Sequence, residues 1–454
     1  MVTIMKKVIY ILFLVVLFTS CKKFLEVEPQ LQVDQDQAII NAGSATTAAN
    51  GLFNLLASNG YYGSNFLALS YLSAGDIQWS GSQADPNEIT KHLTSATNGY
   101  VQSAWTAIYR TISQANYIID KVPGVADPQF STALRNQYLG EAYFVRALAY
   151  FDLARGWGGV QLILRPTNTS SDNSDIPRSS LADTYAQVLK DLNAAETLVP
   201  AVVNRNRVSL RTVQALKARF YLYQKNWALA EQFATLVIGD NANYSLVTPY
   251  SAFFANNVAS TNESILELAY TTSNTNNHSN WWLPPALGGR REWSPNDALV
   301  AQLNNPAIGG NRNALIARTA PPGNLWYGRL YYRNPLGTDP AYLIRVSELY
   351  LIRSEARVYQ GNFTGATADL NAVRSRAGLS ASMASTLAEI LLALENERQL
   401  EFAFEGDRWF NLVRTDRAQT VLALPDKHLY LFPIPYNETL VDPQLGGANR
   451  NPGY

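Results

Sequence analysis

Three glutamates at four-residue spacing, Glu397, Glu401 and Glu405, stand in a stretch, Glu395 to Arg414, that is both charge-rich and aromatic. Between Glu395 and Arg408 seven of fourteen residues are charged, against 16% in the whole chain. Phe402, Phe404, Trp409 and Phe410 sit among them. Residues four apart share a helix face, with Cβ atoms about 5–6 Å apart. Glycoside hydrolysis needs two carboxyl groups about 5–9.5 Å apart across a cleft. Neighbours on one helix face point the same way instead of flanking a substrate. Arg398–Glu401 and Glu405–Arg408 are opposite charges at i, i+3. The stretch therefore reads first as an ion-paired network that orients helices, with Trp409 and Phe410 in the core. Such buried pairs are better attested as sources of packing specificity than of stability. A hydrolase using Glu397 and Glu401 is the alternative.

A second chemistry lies in the tryptophans. Trp281-Trp282 follows the polar run Thr275-Asn276-Asn277-His278-Ser279-Asn280. An indole combines a large apolar face with one polar N–H. Such faces can stack on sugar rings while Asn, Asp and Arg bond the hydroxyls. Asp76 with Trp79 offers a similar pairing. The candidate ligand-binding residues are Asp76, Trp79, Asn280, Trp281, Trp282, Arg290 and Trp326. The competing reading is that these tryptophans pack loops onto helices. Trp105, Trp227 and Trp409 lie on amphipathic stretches and are expected in the core.

Other chemistries find no support. There is no G-x-S-x-G, G-x-G-x-x-G, Walker A or H-E-x-x-H pattern, and no cofactor is implied. The histidines His92, His278 and His428 are far apart, and no spacing resembles a zinc motif. Charge is balanced, 36 basic against 36 acidic residues, which argues against nucleic acid as a main partner.

The elements that must position these residues are mostly helical. Trp105, Ile108, Ile112, Ala115 and Ile119 recur at helical intervals, as do Ala142, Val145, Ala149 and Leu153. Ser180 to Asp183 and Thr386 to Glu389 are predicted capping boxes. Tyr223 to Ala230 and Tyr359 to Ala366 repeat one pattern at an offset of 136. In each, a helix ends on an aromatic, a polar turn follows, and a second aromatic opens the next helix. That is the packing logic of tetratricopeptide hairpins. The spacing predicts a mostly α-helical domain over 36–454, with hairpins near 103–155, 181–238, 342–376 and 387–416. Insertions near 59–100 and 240–340, rich in Gly, Asn, Ser, Pro and aromatics, are expected to carry the ligand loops. Leu431-Phe432-Pro433-Ile434-Pro435 is expected to lie extended against the helices.

The N-terminus has its own signature. Lys6-Lys7, an apolar run from Val8 to Phe18, and Thr19-Ser20 precede the one cysteine of the chain, Cys21. This predicts a signal peptide over 1–20, lipidation at Cys21, and a tether over 21–35. The apolar run is shorter than the roughly 20 residues needed to span a bilayer.

Taken together, these motifs resemble the SusD/RagB family of nutrient-binding outer-membrane lipoproteins. The resemblance is carried by Cys21 to Leu25, Tyr109-Arg110 with Ala115-Asn116, Glu141 to Leu153 and Gly156 to Val160. It continues through Ile176 to Ser180 with Tyr185, Tyr342 to Ala356, Asn371 to Gly378, Glu397 to Arg414, Phe432 to Pro435 and Asn451 to Tyr454. The resemblance implies a helical fold of tetratricopeptide-like units with long loop insertions. It implies a lipid-anchored location on the cell-surface side of the outer membrane, and no enzymatic activity. It also implies a partner, a SusC-like TonB-dependent β-barrel transporter, to which oligosaccharides, or peptides in some members, are delivered. A peptide-binding RagB-like protein and a lipid-anchored glycoside hydrolase remain the alternatives. The family's ligand loops carry no motif, so the candidate residues stand on the aromatic–polar argument alone.

Overall fold

The repeated turn folds the same way twice. Helix α6 (Leu210–Tyr223) meets α7 (Trp227–Ile238), and α8 (Val346–Tyr359) meets α9 (Phe363–Arg376). At equivalent turn positions Lys225 and Gly361 take positive φ, 54° and 80°. That left-handed residue reverses the chain. The next residue then caps the following helix. Asn226 accepts from the Leu229 N–H and Asn362 from the Gly365 N–H. The aromatic-turn-aromatic pattern thus encodes both the stop and the restart.

The structure, a computed structural model, describes residues 39–169, 172–173 and 175–454. The predicted signal peptide, Cys21 and the tether to residue 35 lie outside these residues. The fold is mostly α-helical with little sheet. The described residues open with α1 (Ala42–Leu56) and α2 (Asn65–Ser73), then the paired long helices α3 (Gly99–Lys121) and α4 (Thr132–Trp157). Helix α5 (Leu181–Leu198) packs along α4, and the α6/α7 and α8/α9 hairpins follow, with α7 against α8. Helix α10 (Leu387–Glu401) and the shorter α11 (Arg408–Arg414) follow, with α10 on α8 and α9. No helix among the described residues is long and apolar enough to cross a membrane.

Local chemistry sets the helix boundaries. Thr386 and Glu389 form a reciprocal capping box at the start of α10. Ser180 caps α5 differently. Its hydroxyl accepts from the Asp183 N–H and donates to the Asp183 carboxylate, so Asp183 returns the bond to the side chain and not to the backbone. Gly158, at φ 80°, ends α4. The C-terminal Leu431 to Pro435 segment is clamped there: Trp157 donates its indole N–H to Pro433 O at 2.9 Å, and Phe432 N–H donates to Gly156 O at 2.8 Å.

The insertions contain strands that helical periodicity could not reveal. β1 (Ile77–Trp79) pairs antiparallel with β3 (Trp293–Pro295), β2 (Ser264–Leu268) with β6 (Ala341–Arg345), and β4 (Ile316–Arg318) with β5 (Trp326–Gly328). Most are three residues long, too short to show alternation. The β1–β3 ribbon joins the two insertions, placing Trp79 opposite Trp293.

Candidate functional site

The charged stretch is a buried scaffold network. Helix α10 ends at Glu401, so Glu405 does not share its face. The expected i, i+3 pairs do not form. Arg398 instead binds Asp407, and Arg408 reaches back to Asp76 at 2.9 Å. The chain leaves the helix after Glu401, and this turns the local charges away from each other and towards distant elements. Arg345, at the end of β6, contacts Glu263 at 2.9 Å, Glu401 at 2.9 Å and Glu405 at 2.6 Å. Arg312 bonds Glu397 and Glu401, and Arg376 bonds Glu263 and Glu401. Glu401 and Arg312 are both 0% exposed. A carboxylate enclosed by three guanidiniums has no route to a substrate. Trp409 and Phe410 are buried, Trp409 against His92 and Phe432 and Phe410 against Phe66.

The predicted ligand residues separate into two groups. Asp76 is buried, held by Arg408 and by the Gln399 side-chain amide at 2.9 Å. Burial raises its carboxyl to about 6, against the pull of Arg408 and Gln399. It joins the insertion to the last hairpin and does not face solvent. Trp282 is 1% exposed and packs edge-on against Tyr71, Trp293 and Phe404. Consecutive residues on a helix point about 100° apart. On the short helix His278–Trp282 that geometry turns Trp282 into the core and Trp281 towards the surface.

Trp79, Trp281 and Arg290 come together, and the backbone of Trp326 is joined to this group through Arg291. The Trp281 ring stacks on buried Trp293, with centroids 5.4 Å apart and planes 22° from parallel. Trp79 lies at its side, 6.2 Å away and tilted. The Arg290 guanidinium carbon stands 5.0 Å from the Trp281 centroid. Arg291 donates from Nε to the Trp326 carbonyl at 2.8 Å, tying this group to β5. Across β4–β5, Arg318 pairs in register with Trp326, its guanidinium 5.6 Å from that ring. Asn280 is half-buried and contributes its carbonyl, which accepts the Arg290 N–H at 2.7 Å. Gly81 curls under Trp79. A Cβ there would fall 2.3 Å from the indole, so only glycine permits this approach.

The indole N–H groups of Trp79, Trp281, Trp282 and Trp293 are buried and have no acceptor among the described residues. The tryptophans therefore turn hydrocarbon, not donors, outward, and polar recognition falls to the arginines. Arg318 escaped the sequence reading, and Arg291 was legible there only as part of a basic run suited to peptides. The Arg290-Arg291 run was visible, but the Arg318–Trp326 pairing depends on a strand register that three-residue strands do not advertise.

With this geometry in place, the chain can be compared with known proteins. Residues 23–222 match the family SusD-like_3, described as "Starch-binding associating with outer membrane", and residues 329–429 match SusD_RagB, the "SusD family". The chain belongs to the SusD/RagB family. A SusD-like protein of Formosa agariphila is 26% identical, over 89% of this chain and 90% of its own length. One from Bacteroides ovatus is 24% identical, over 76% and 70%. Among solved structures, a SusD superfamily protein from Bacteroides vulgatus superposes with a TM-score of 0.82 at 22% identity, covering 91% of this chain and 99% of that one. A "Laminarin binding SusD-like protein" superposes with a TM-score of 0.79 at 23% identity, covering 92% and 100%. At such identities the superpositions establish the fold alone.

Proposed function

We propose that this chain captures oligosaccharides at the surface formed by Trp79, Trp281, Trp326 and Arg290, and passes them to a SusC-like TonB-dependent β-barrel transporter. In this reading Cys21 carries the lipid that anchors the domain to the outside of the outer membrane. Two or three acyl chains, at about 0.8 kcal/mol per buried methylene, make that attachment stable. The protein binds and does not cleave.

One observation carries the glycan reading. Three half-buried tryptophans stand on three separate segments of the two insertions, with the N–H groups of Trp79 and Trp281 buried and the Arg290 and Arg318 guanidiniums over the Trp281 and Trp326 rings. Apolar contact ringed by forked donors suits a sugar ring and its substituents. The family match, with its starch-binding description, supports it further. The enclosure of Glu397, Glu401 and Glu405 by arginines supports the non-enzymatic reading.

The test is binding by the mature domain to a panel of oligosaccharides and peptides, with product analysis alongside. Saturable oligosaccharide binding that drops about tenfold or more in Trp281→Ala and Trp326→Ala, with no new reducing ends, is the expected outcome. Unchanged affinity in both variants would mean that the ligand binds elsewhere. Sugar release lost in Glu401→Gln would make the protein a hydrolase. Co-purification with a β-barrel encoded beside it tests the partner.

A further inference from the structure

A tryptophan that stacks on a neutral sugar needs an open face, and both faces of Trp281 are occupied. Buried Trp293 covers one side of Trp281, so the Arg290 guanidinium over the ring takes the other. Trp326 carries Arg318 over one face of its ring. Over both indoles the group that meets solvent is a guanidinium: the Arg290 side chain is 47% exposed, and Arg318 is exposed as well. An indole holds a guanidinium flat through its π face, leaving the rim of N–H donors available.

Those donors are only partly used. Glu292 accepts from Nε and Nη2 of Arg290. Arg318 gives Nε to the Asn324 carbonyl, and Arg291 gives Nε to the Trp326 carbonyl. Among the described residues no other protein acceptor is found for these three guanidiniums. Glu292 is the one carboxylate paired with them, so the cluster carries an excess of positive charge. Planar, forked donors of this kind match the oxygens of a carboxylate or a sulfate.

Resting on the oligosaccharide reading of this surface, we infer that the site selects acidic oligosaccharides, whose carboxylate or sulfate groups dock on Arg290 and Arg318 while sugar-ring edges lie against Trp79 and Trp326. Selectivity comes from the guanidinium-on-indole pairs. A hydroxyl-only glycan would have to displace Arg290 to reach Trp281.

A matched array tests this. It carries oligogalacturonate beside its methyl ester, a sulfated oligosaccharide beside its desulfated form, neutral β-glucans, and acidic peptides. The expected result is retention of an acidic glycan, with at least about tenfold loss when its charge is masked. Which of the two matched pairs responds distinguishes carboxylate from sulfate. Binding should weaken steeply with added salt, and Arg290→Gln with Arg318→Gln should cost about tenfold or more while the melting temperature holds. Retention of neutral glycans, indifferent to salt and to both arginine variants, overturns the selectivity and leaves the glycan reading standing. Retention of acidic peptides alone, or of nothing, overturns both.

Discussion

Trp227 lies flat on Tyr359, ring centroids 4.1 Å apart and planes 8° from parallel. The two residues come from the two copies of the repeated turn. Tyr359 closes its first helix, and Trp227 opens the second helix of the other copy. Trp227 is half-buried and seated on the surface, not in the core where its amphipathic helix had placed it. The stack therefore joins two hairpins whose turns are 136 residues apart in sequence. Trp227→Ala and Tyr359→Ala should each destabilise. A double-mutant cycle by denaturant unfolding should return a coupling of about 0.5–1.5 kcal/mol. A coupling of zero would reduce the stack to coincidence.

Glu401 is the hub of the buried network, and its loss would leave Arg312, Arg345 and Arg376 short of a counter-charge. Breaking a buried pair by removing one partner costs about 3–5 kcal/mol. Glu401→Ala should lose stability on that scale in urea unfolding. Because the network is remote from solvent, the folded fraction should keep its ligand affinity. A weakened affinity in that fraction would tie the network to the binding surface.

The network also makes stability depend on pH. Burial pushes Glu405 up to about 7 despite Arg345, and Asp76 up to about 6 despite Arg408. Burial raises Glu401 too, but Arg376, Arg312 and Arg345 overturn it and hold the carboxyl at about 2. An acid raised in the folded state binds its proton more tightly there than when unfolded. Glu405 and Asp76 thus contribute stability that is full below the ordinary carboxylate range and is lost as pH rises through about 6 and 7. Glu401 contributes stability present above its ordinary 4.5 and lost as pH falls towards about 2. Melting temperature should peak at mildly acid pH and decline on both sides. Glu405→Gln should flatten the neutral limb, and an unaltered limb would assign the slope to other groups.

Gly81→Ala tests the aromatic surface without touching an aromatic. The new methyl must displace the far ring of Trp79, a side chain that can give, so folding should survive. Tryptophan emission should shift and oligosaccharide affinity should fall several-fold, about 1 kcal/mol. An emission shift with unchanged affinity would remove Trp79 from the site.

The helical frame was legible because its signals are local. Thr386 with Glu389, and Asn226 and Asn362 after their turns, act within a few residues of where they sit. The partners of the charges were not legible, because Arg345 and Glu401 meet across 56 residues and Arg408 and Asp76 across more than 300. Nothing near Glu401 in sequence announces three arginines. The candidate surface was half legible. Composition pointed to the insertions, where Trp79 and Trp281 pack together and the Trp326 carbonyl accepts from the neighbouring Arg291. The division of Trp281 from Trp282, and of Trp79 from Asp76, depended on which way each side chain turned. A helix only five residues long and a strand of three residues carry no periodic pattern to settle that.

Arg312 gives the fold something like a keyed joint. It sits in a short 3-10 helix, Gly310–Leu315, between the loops that carry the aromatic surface, and its guanidinium is set into Glu397 and Glu401 of the last helical pair. The loops before and after it can then be rewritten, one ligand preference exchanged for another, while the joint stays seated. A recombinant chain that received foreign loops over 269–340 would inherit the scaffold's carboxylates and would need to bring its own key. Without an arginine at that place the transplant would leave Glu397 with Arg374 alone and Glu401 with only Arg345 and Arg376. The feature that hides the charges from chemistry is also what lets the binding surface change as a cassette.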